Sequence, residues 1–291
     1  CGQCFRFDPS PDGGIEGVAF GRFIRFKQPD EGTLIITGSD KADYESIWKP
    51  YLTLDDDYGA IKADIAARFA PFDKTGIIDA AILRGGGIRI LRQDPWETLC
   101  SFIISQNNNI PRIKKIIAAL SDTYGERIAG ERIADDKIAD ERISGENIAG
   151  KKFERTALGG ARRIYSAFPT ARALCDAGTD AIYALRTGFR AKYIYDAARR
   201  VADGSTDLDA ISKMPSAEAA AELMKIKGVG IKVANCTLLF GFGRTDAFPV
   251  DVWIKRVLEK YYPDGIDITA LGPWGGIAQQ YLFYYERYTS E

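Results

Sequence analysis

Two helix-forming stretches joined by Gly228-Val229-Gly230 constrain this chain more than any other feature. Pro215-Ser216 can start the first helix, with Ser216 as N-cap and Glu218 in the first turn, and the apolar pattern carries it to near Ile226. The glycines then force a tight reversal, and a second helix begins at Ile231. Glycine lets the backbone approach a partner closely, and the free N–H groups of a new helix favour an anion such as a phosphate. A plain corner between two helices fits the same residues, and on the short motif alone it is the better reading.

The rest of the chain changes texture once. Gly17-Val-Ala-Phe-Gly-Arg-Phe-Ile-Arg-Phe26 and Thr33-Leu-Ile-Ile-Thr37 are β-rich, with Pro29-Asp-Glu-Gly32 as a turn between them. After Ser39 the pattern turns helical, with candidate helices near 41–50, 57–69 and 95–105. Gly85-Gly-Gly-Ile-Arg-Ile-Leu91 marks a boundary. The expected class is α+β: an antiparallel sheet with a few helices over residues 1–90, packed on an all-helical domain over 91–291. Within the latter, residues 126–150 repeat a pentapeptide, with isoleucine at 128, 133, 138, 143 and 148. A period of five drifts about 140° per step on a helix, so no apolar stripe forms. A dispensable surface loop is expected there.

Composition excludes more than it selects. The 291 residues contain no histidine, which removes Ser-His catalysis, histidine bases and most catalytic zinc sites. With 39 Lys+Arg against 40 Asp+Glu, the net charge of −1 argues against non-specific coating of nucleic acid but leaves room for a local basic patch. Five cysteines in no even framework suit a reducing cytoplasm. Cys1-Gly-Gln-Cys4 lacks the further ligands a metal site needs, so no metal is expected. No apolar run approaches the roughly 18 residues that span a bilayer, so no membrane association is expected. The chain opens at Cys1 without an initiator Met, which suggests that part of the N-terminus is missing.

The chemistry-bearing residues follow the hairpin. Lys232, Cys236 and Phe240 fall at i, i+4 and i+8 of the second helix, hence on one face. A lysine beside a thiol and an aromatic ring could sit in a partly apolar pocket, where desolvation favours the neutral, nucleophilic amine. A solvated lysine at a helix start is the plainer alternative. Asp251, in Phe248-Pro-Val-Asp-Val-Trp253, is placed to N-cap the next helix, whose dipole keeps it ionised. Facing the same pocket, it could stabilise a sugar oxocarbenium ion. Read alone, it is a helix cap.

Gly228-Val-Gly-Ile-Lys-Val-Ala234 followed by Pro249-Val-Asp251 resembles the helix-hairpin-helix, Gly/Pro-Asp DNA glycosylase superfamily. The resemblance implies that Lys232 attacks the anomeric carbon of a damaged nucleotide, forming a Schiff base whose β-elimination nicks the strand. Asp251 matches the superfamily aspartate. Further motifs resemble the 8-oxoguanine DNA glycosylases, and they span nearly the whole chain. Gly2-Gln-Cys-Phe-Arg-Phe7 resembles the N-terminal signature, in which the glycine carbonyl accepts the N7–H found only on the oxidised base. Arg92-Gln-Asp-Pro95 and Ser105-Gln-Asn-Asn-Asn-Ile-Pro-Arg112 resemble the central one. By match, Asn107 fills the gap left by the flipped base and Arg112 bonds the orphaned cytosine. Gly188-Phe-Arg-Ala-Lys-Tyr193 supplies a wedge, Phe189, and a second cytosine-reading arginine, Arg190. Gln279 matches the residue on the base's Watson–Crick edge, Phe283 the stacking ring, and Cys236 the opposite face of the base.

Departures are specific. Phe189 stands where tyrosine is common, Trp253 where a phosphate-binding histidine is often found, and Phe240 where a smaller apolar residue sits. The pentapeptide insert is foreign to the pattern. The resemblance implies a monomer acting on double-stranded DNA with oxidised guanine, without cofactor, in the cytoplasm and at the nucleoid if the source is prokaryotic. A glycosylase for alkylated or mismatched bases is the nearest rival, and a non-catalytic DNA-binding module the more distant one.

Overall fold

The computed structural model describes residues 2–10, 12–133, 152–155 and 161–289. The alternating stretch folds as four antiparallel strands in the order β1 (Phe7–Pro9), β2 (Ile15–Ala19), β3 (Arg22–Asp30) and β4 (Thr33–Thr37). Ala19 pairs with Arg22, so Phe20 and Gly21 form a two-residue turn. Both have positive φ, 50° and 68°, the backbone that matches the twist of paired strands. Val18, Phe23, Ile24 and Phe26 are all buried, which requires cover on both faces of the sheet. Trp48 and Tyr51 close one face, from a helical stretch made of Lys41–Asp43, Tyr44–Trp48 and Lys49–Tyr51. On the other face Phe23 stacks on Tyr165, ring centroids 4.4 Å apart.

Helices α1 (Tyr58–Phe69), α2 (Ile77–Arg84), α3 (Pro95–Ser105) and α4 (Ile110–Tyr124) follow. The first, third and fourth are N-capped by Asp57, Asp94 and Asn109, each accepting a backbone N–H of its first turn. Later come α5 (Ala171–Ile182), α6 (Ala191–Ala202), α7 (Leu208–Lys213), α8 (Ser216–Met224), α9 (Ile231–Phe240), α10 (Val252–Tyr261) and α11 (Gly275–Thr289). One apolar core runs through them and takes in Phe5, Ile65 and Ile78 as well as Ile103, Leu239 and Leu282. Helices α1 and α2 therefore pack with the helical half rather than with the sheet. None of the described helices is long and apolar enough to cross a membrane.

The α+β class holds, with two local corrections. The region after residue 91 is not purely helical: β5 (Arg127–Ile133), β7 (Ala161–Ser166) and β6 (Lys152–Arg155) form a second antiparallel sheet in that spatial order. The start of the pentapeptide repeat is thus a strand, not a loop. Backbone pairing needs no apolar stripe, and β5 pairs with β7 through a register shift between Ala129 and Arg132. Residues 134–150 of the repeat lie outside the described residues. The second correction concerns α8, where Pro215 is the N-cap and Ser216 is already helical, with no side-chain cap bond.

Candidate active site

The hairpin between α8 and α9 is held from below. The Lys227 N–H donates to Asp196 Oδ2 at 2.9 Å, and Asp196 in turn receives Arg200 at 3.0 Å and Arg199 at 3.3 Å. Burial opposes ionisation of Asp196, but these donors together keep its carboxyl below the ordinary carboxylate range. Val229 is buried and anchors the turn in the core.

The two glycines have different reasons to be there. Gly228 has φ +82°, and a Cβ on it would sit 2.4 Å from the ring of Tyr193. Gly230 N-caps α9 with φ −96°, and nothing lies within 4 Å of an added Cβ. Gly228→Ala should therefore cost about 2 kcal/mol or more through the left-handed backbone and the ring clash. The drop in Tm would be on the order of 5 °C. Gly230→Ala should melt within about a degree of wild type. Thermal unfolding of both checks this, and equal melting temperatures would show that Tyr193 yields easily.

Beyond the hairpin, α9 turns Lys232, Cys236 and Phe240 into one cavity of about 60 Å³. Lys232 Nζ lies 5.1 Å from the centre of the Phe102 ring, which stacks on Phe240 at 5.4 Å. The lysine thus rests on an aromatic floor built by α3 and α9 together. Burial pushes the Cys236 thiol up to about 11, against the lowering effect of Lys232 and its hydrogen bond and with a small rise from Asp251. The thiol therefore stays neutral and does not hold the lysine in an ion pair.

Asp251 faces the same cavity from the start of α10. Its Oδ1 accepts both cap bonds, from Trp253 N at 3.0 Å and Ile254 N at 2.9 Å. Its Oδ2 takes no part in the cap. From α11 come Gln279, Gln280 and Phe283, and from the N-terminus Gly2. Gly2 has φ +73° and open space around it. Its neighbour Gln3 is what fixes it in place. The Gln3 amide donates to Arg89 O at 2.8 Å and accepts from Leu91 N at 2.9 Å, and its carbonyl accepts from Gln93 Nε2 at 2.6 Å.

All seven residues expected at the catalytic centre and base pocket thus surround one cavity. Phe102, Pro249 and Gln280 also line it and were not anticipated. Pro249 belongs to the motif that ends in Asp251, but nothing in the local pattern of the other two marks them.

The residues expected on the duplex side cluster separately. Asn107 is exposed with φ +47°, a left-handed backbone that asparagine tolerates better than most residues. Phe189 is 48 % exposed on a short turn. Arg112 is exposed in the first turn of α4. Arg190 packs over the Phe189 ring, 4.5 Å from its centroid. It is buried, and its guanidinium donates through Nε to Gln106 O at 2.9 Å and through Nη2 to Asn107 O at 2.9 Å. It serves here as a brace for the turn that presents Asn107. Burial and the neighbouring Arg112 cation lower its pKa.

Comparison with known proteins agrees with this arrangement. Residues 1–99 match the family described as 8-oxoguanine DNA glycosylase, N-terminal domain. Residues 100–267 match the HhH-GPD superfamily base excision DNA repair proteins. The chain belongs to the HhH-GPD superfamily and, within it, to the 8-oxoguanine DNA glycosylase family. It is 35 % identical over 187 residues to the N-glycosylase/DNA lyase of Saccharomyces cerevisiae, covering 60 % of this chain and 42 % of that one. The aligned stretch thus spans less than half the length of this curated relative. The structure of MBOgg1 bound to a low-affinity DNA ligand superposes with a TM-score of 0.82 at 39 % identity, covering 100 % of this chain and 90 % of that one. The Clostridium acetobutylicum 8-oxoguanine glycosylase/lyase, in complex with DNA containing cytosine opposite 8-oxoguanine, gives 0.80 at 33 % identity, with the same coverage.

Proposed function

We propose that this chain removes 8-oxoguanine from double-stranded DNA and then cleaves the strand. One observation carries the reading: Lys232 and Asp251 share a cavity with Gly2, Gln279 and Phe283. A phosphate-gripping module needs neither the lysine nor the aspartate. The target base leaves the stack and enters between Phe283 and Cys236. The Lys232 nitrogen attacks C1′, and the C1′–N9 bond breaks with its electron pair going to the base, which takes up the proton that the nitrogen sheds. The Asp251 carboxylate opposes the positive charge that builds on the sugar. Opening of the sugar ring gives the Schiff base. Loss of a proton from C2′ then expels the 3′ phosphate. The enzyme works as a monomer in the cytoplasm, at the DNA, with no cofactor.

Borohydride reduction in the presence of an 8-oxoguanine duplex tests this. A covalent adduct with that duplex, and none with undamaged DNA, is expected. An adduct formed instead with alkylated or mismatched DNA would favour another glycosylase of the superfamily. Binding without any adduct would leave a DNA-binding module.

The opposite base is read by Arg112 in this proposal. Guanidinium is a permanent donor, and unpaired cytosine offers the acceptors O2 and N3, whereas adenine places an amino group on that edge. A good bidentate contact separates bases by about 1–3 kcal/mol. Arg112→Ala should therefore narrow the preference for cytosine over adenine by roughly ten- to a hundredfold while slowing cleavage opposite cytosine less. Single-turnover rates opposite all four bases measure it. A uniform drop across the four would reduce Arg112 to a phosphate contact. Arg190 has most of its donors committed to the 106–107 backbone, so Arg190→Ala should lower stability as well as activity.

A further inference from the structure

Gln280 sits beside Gln279 at the cavity, only 4 % exposed, and no feature of the sequence marks it. Its Nε2 donates to Gln279 Oε1 at 2.8 Å. Its own Oε1 is buried and has no hydrogen-bond partner among the described residues. A buried acceptor without a donor is costly, and native structures keep one mainly where a ligand or a water completes it.

The bond between the two amides also fixes their orientation. Turning one amide alone would set oxygen against oxygen or N–H against N–H. Turning both would bury the two N–H groups of Gln280 without an acceptor, in place of one oxygen. The arrangement present leaves three groups with unused hydrogen-bonding capacity: the Gln279 Nε2 donor, the second lone pair of Gln279 Oε1, and Gln280 Oε1. The order is donor, acceptor, acceptor.

Guanine presents the complement along its Watson–Crick edge: the O6 acceptor, the N1–H donor and the exocyclic 2-amino donor. An adenine-type edge, with its 6-amino donor and N1 acceptor, mismatches the first two groups and leaves the third empty. We propose that Gln280 is a specificity-determining residue that holds the Gln279 amide in the guanine-reading orientation and accepts the exocyclic 2-amino group of the flipped base. The inference rests on the reading above that the flipped base is 8-oxoguanine.

The test compares single-turnover excision, opposite cytosine, of 8-oxoguanine and of 8-oxohypoxanthine, the same base without the 2-amino group. Leaving a buried acceptor unmatched should slow wild type on 8-oxohypoxanthine by about five- to a hundredfold. In Gln280→Met, which keeps the volume but neither polar group, the ratio of the two rates should collapse to near one. Gln280→Glu, protonated in so buried a place, offers an O–H to Gln279 and an oxygen to the base, and should restore the ratio. Wild type that removes both bases at equal rates overturns the assignment, as does a Gln280→Met variant that keeps the wild-type ratio. Should Gln280→Met not fold, a ratio near one in Gln280→Glu overturns it. Excision of neither base by wild type would sink the functional reading itself, and this inference with it.

Discussion

Lys232→Gln should abolish both base release and borohydride trapping while leaving binding to a damaged duplex within a few-fold of wild type. The side chain loses its only nucleophilic atom and keeps most of its length over the Phe102 ring, which Nζ approaches to 5.1 Å. An amide nitrogen shares its lone pair with the carbonyl and cannot form an imine. Removing a nucleophile typically lowers turnover by several orders of magnitude. A fall of at least about 10³-fold in single-turnover rate is therefore expected. The lost cation–π contact is worth only about 0.5–2 kcal/mol, so the variant should fold. Comparable nicking by a folded variant would remove Lys232 from the mechanism.

The second large effect separates two jobs held by one side chain. Asp251 caps α10 through Oδ1 alone, and asparagine keeps an acceptor at that atom. Asp251→Asn should therefore melt close to wild type yet turn over about 10²-fold or more slowly, because the charge opposing the sugar cation is gone. Asp251→Ala should add a stability loss of about 1 kcal/mol. Thermal unfolding and single-turnover excision on the same preparations decide the matter. Near-normal turnover in Asp251→Asn would leave Asp251 as a cap and nothing more.

Both residues are legible in the amino-acid sequence because each belongs to a local pattern. A period of 3.6 residues puts Lys232, Cys236 and Phe240 on one face whatever surrounds the helix. An aspartate just ahead of an amphipathic run is a cap in almost any fold. The β character of 17–26 and 33–37 is legible for the same reason, but the reversal at Phe20-Gly21, which splits the first stretch into β2 and β3, is not. The start of the pentapeptide run, Arg127–Ile133, is a strand rather than the expected loop because its partner, β7, lies on the far side of the insert. The pairing is backbone to backbone, and no side-chain period announces it.

What only the tertiary structure decided are the contacts between residues far apart in sequence. The Gln3 clamp on Arg89, Leu91 and Gln93 bridges more than 80 positions. So does the Arg190 brace on Gln106 and Asn107. Phe102 became the floor under Lys232 only when α3 packed against α9. The ring that an added side chain at Gly228 would meet belongs to Tyr193, on another helix. Period and capping act within one or two helical turns, so the chain order itself expresses them. Which glutamine oxygen is left without a donor, or which arginine finds a carbonyl, depends on close packing between elements, where a shift of an ångström exchanges one neighbour for another.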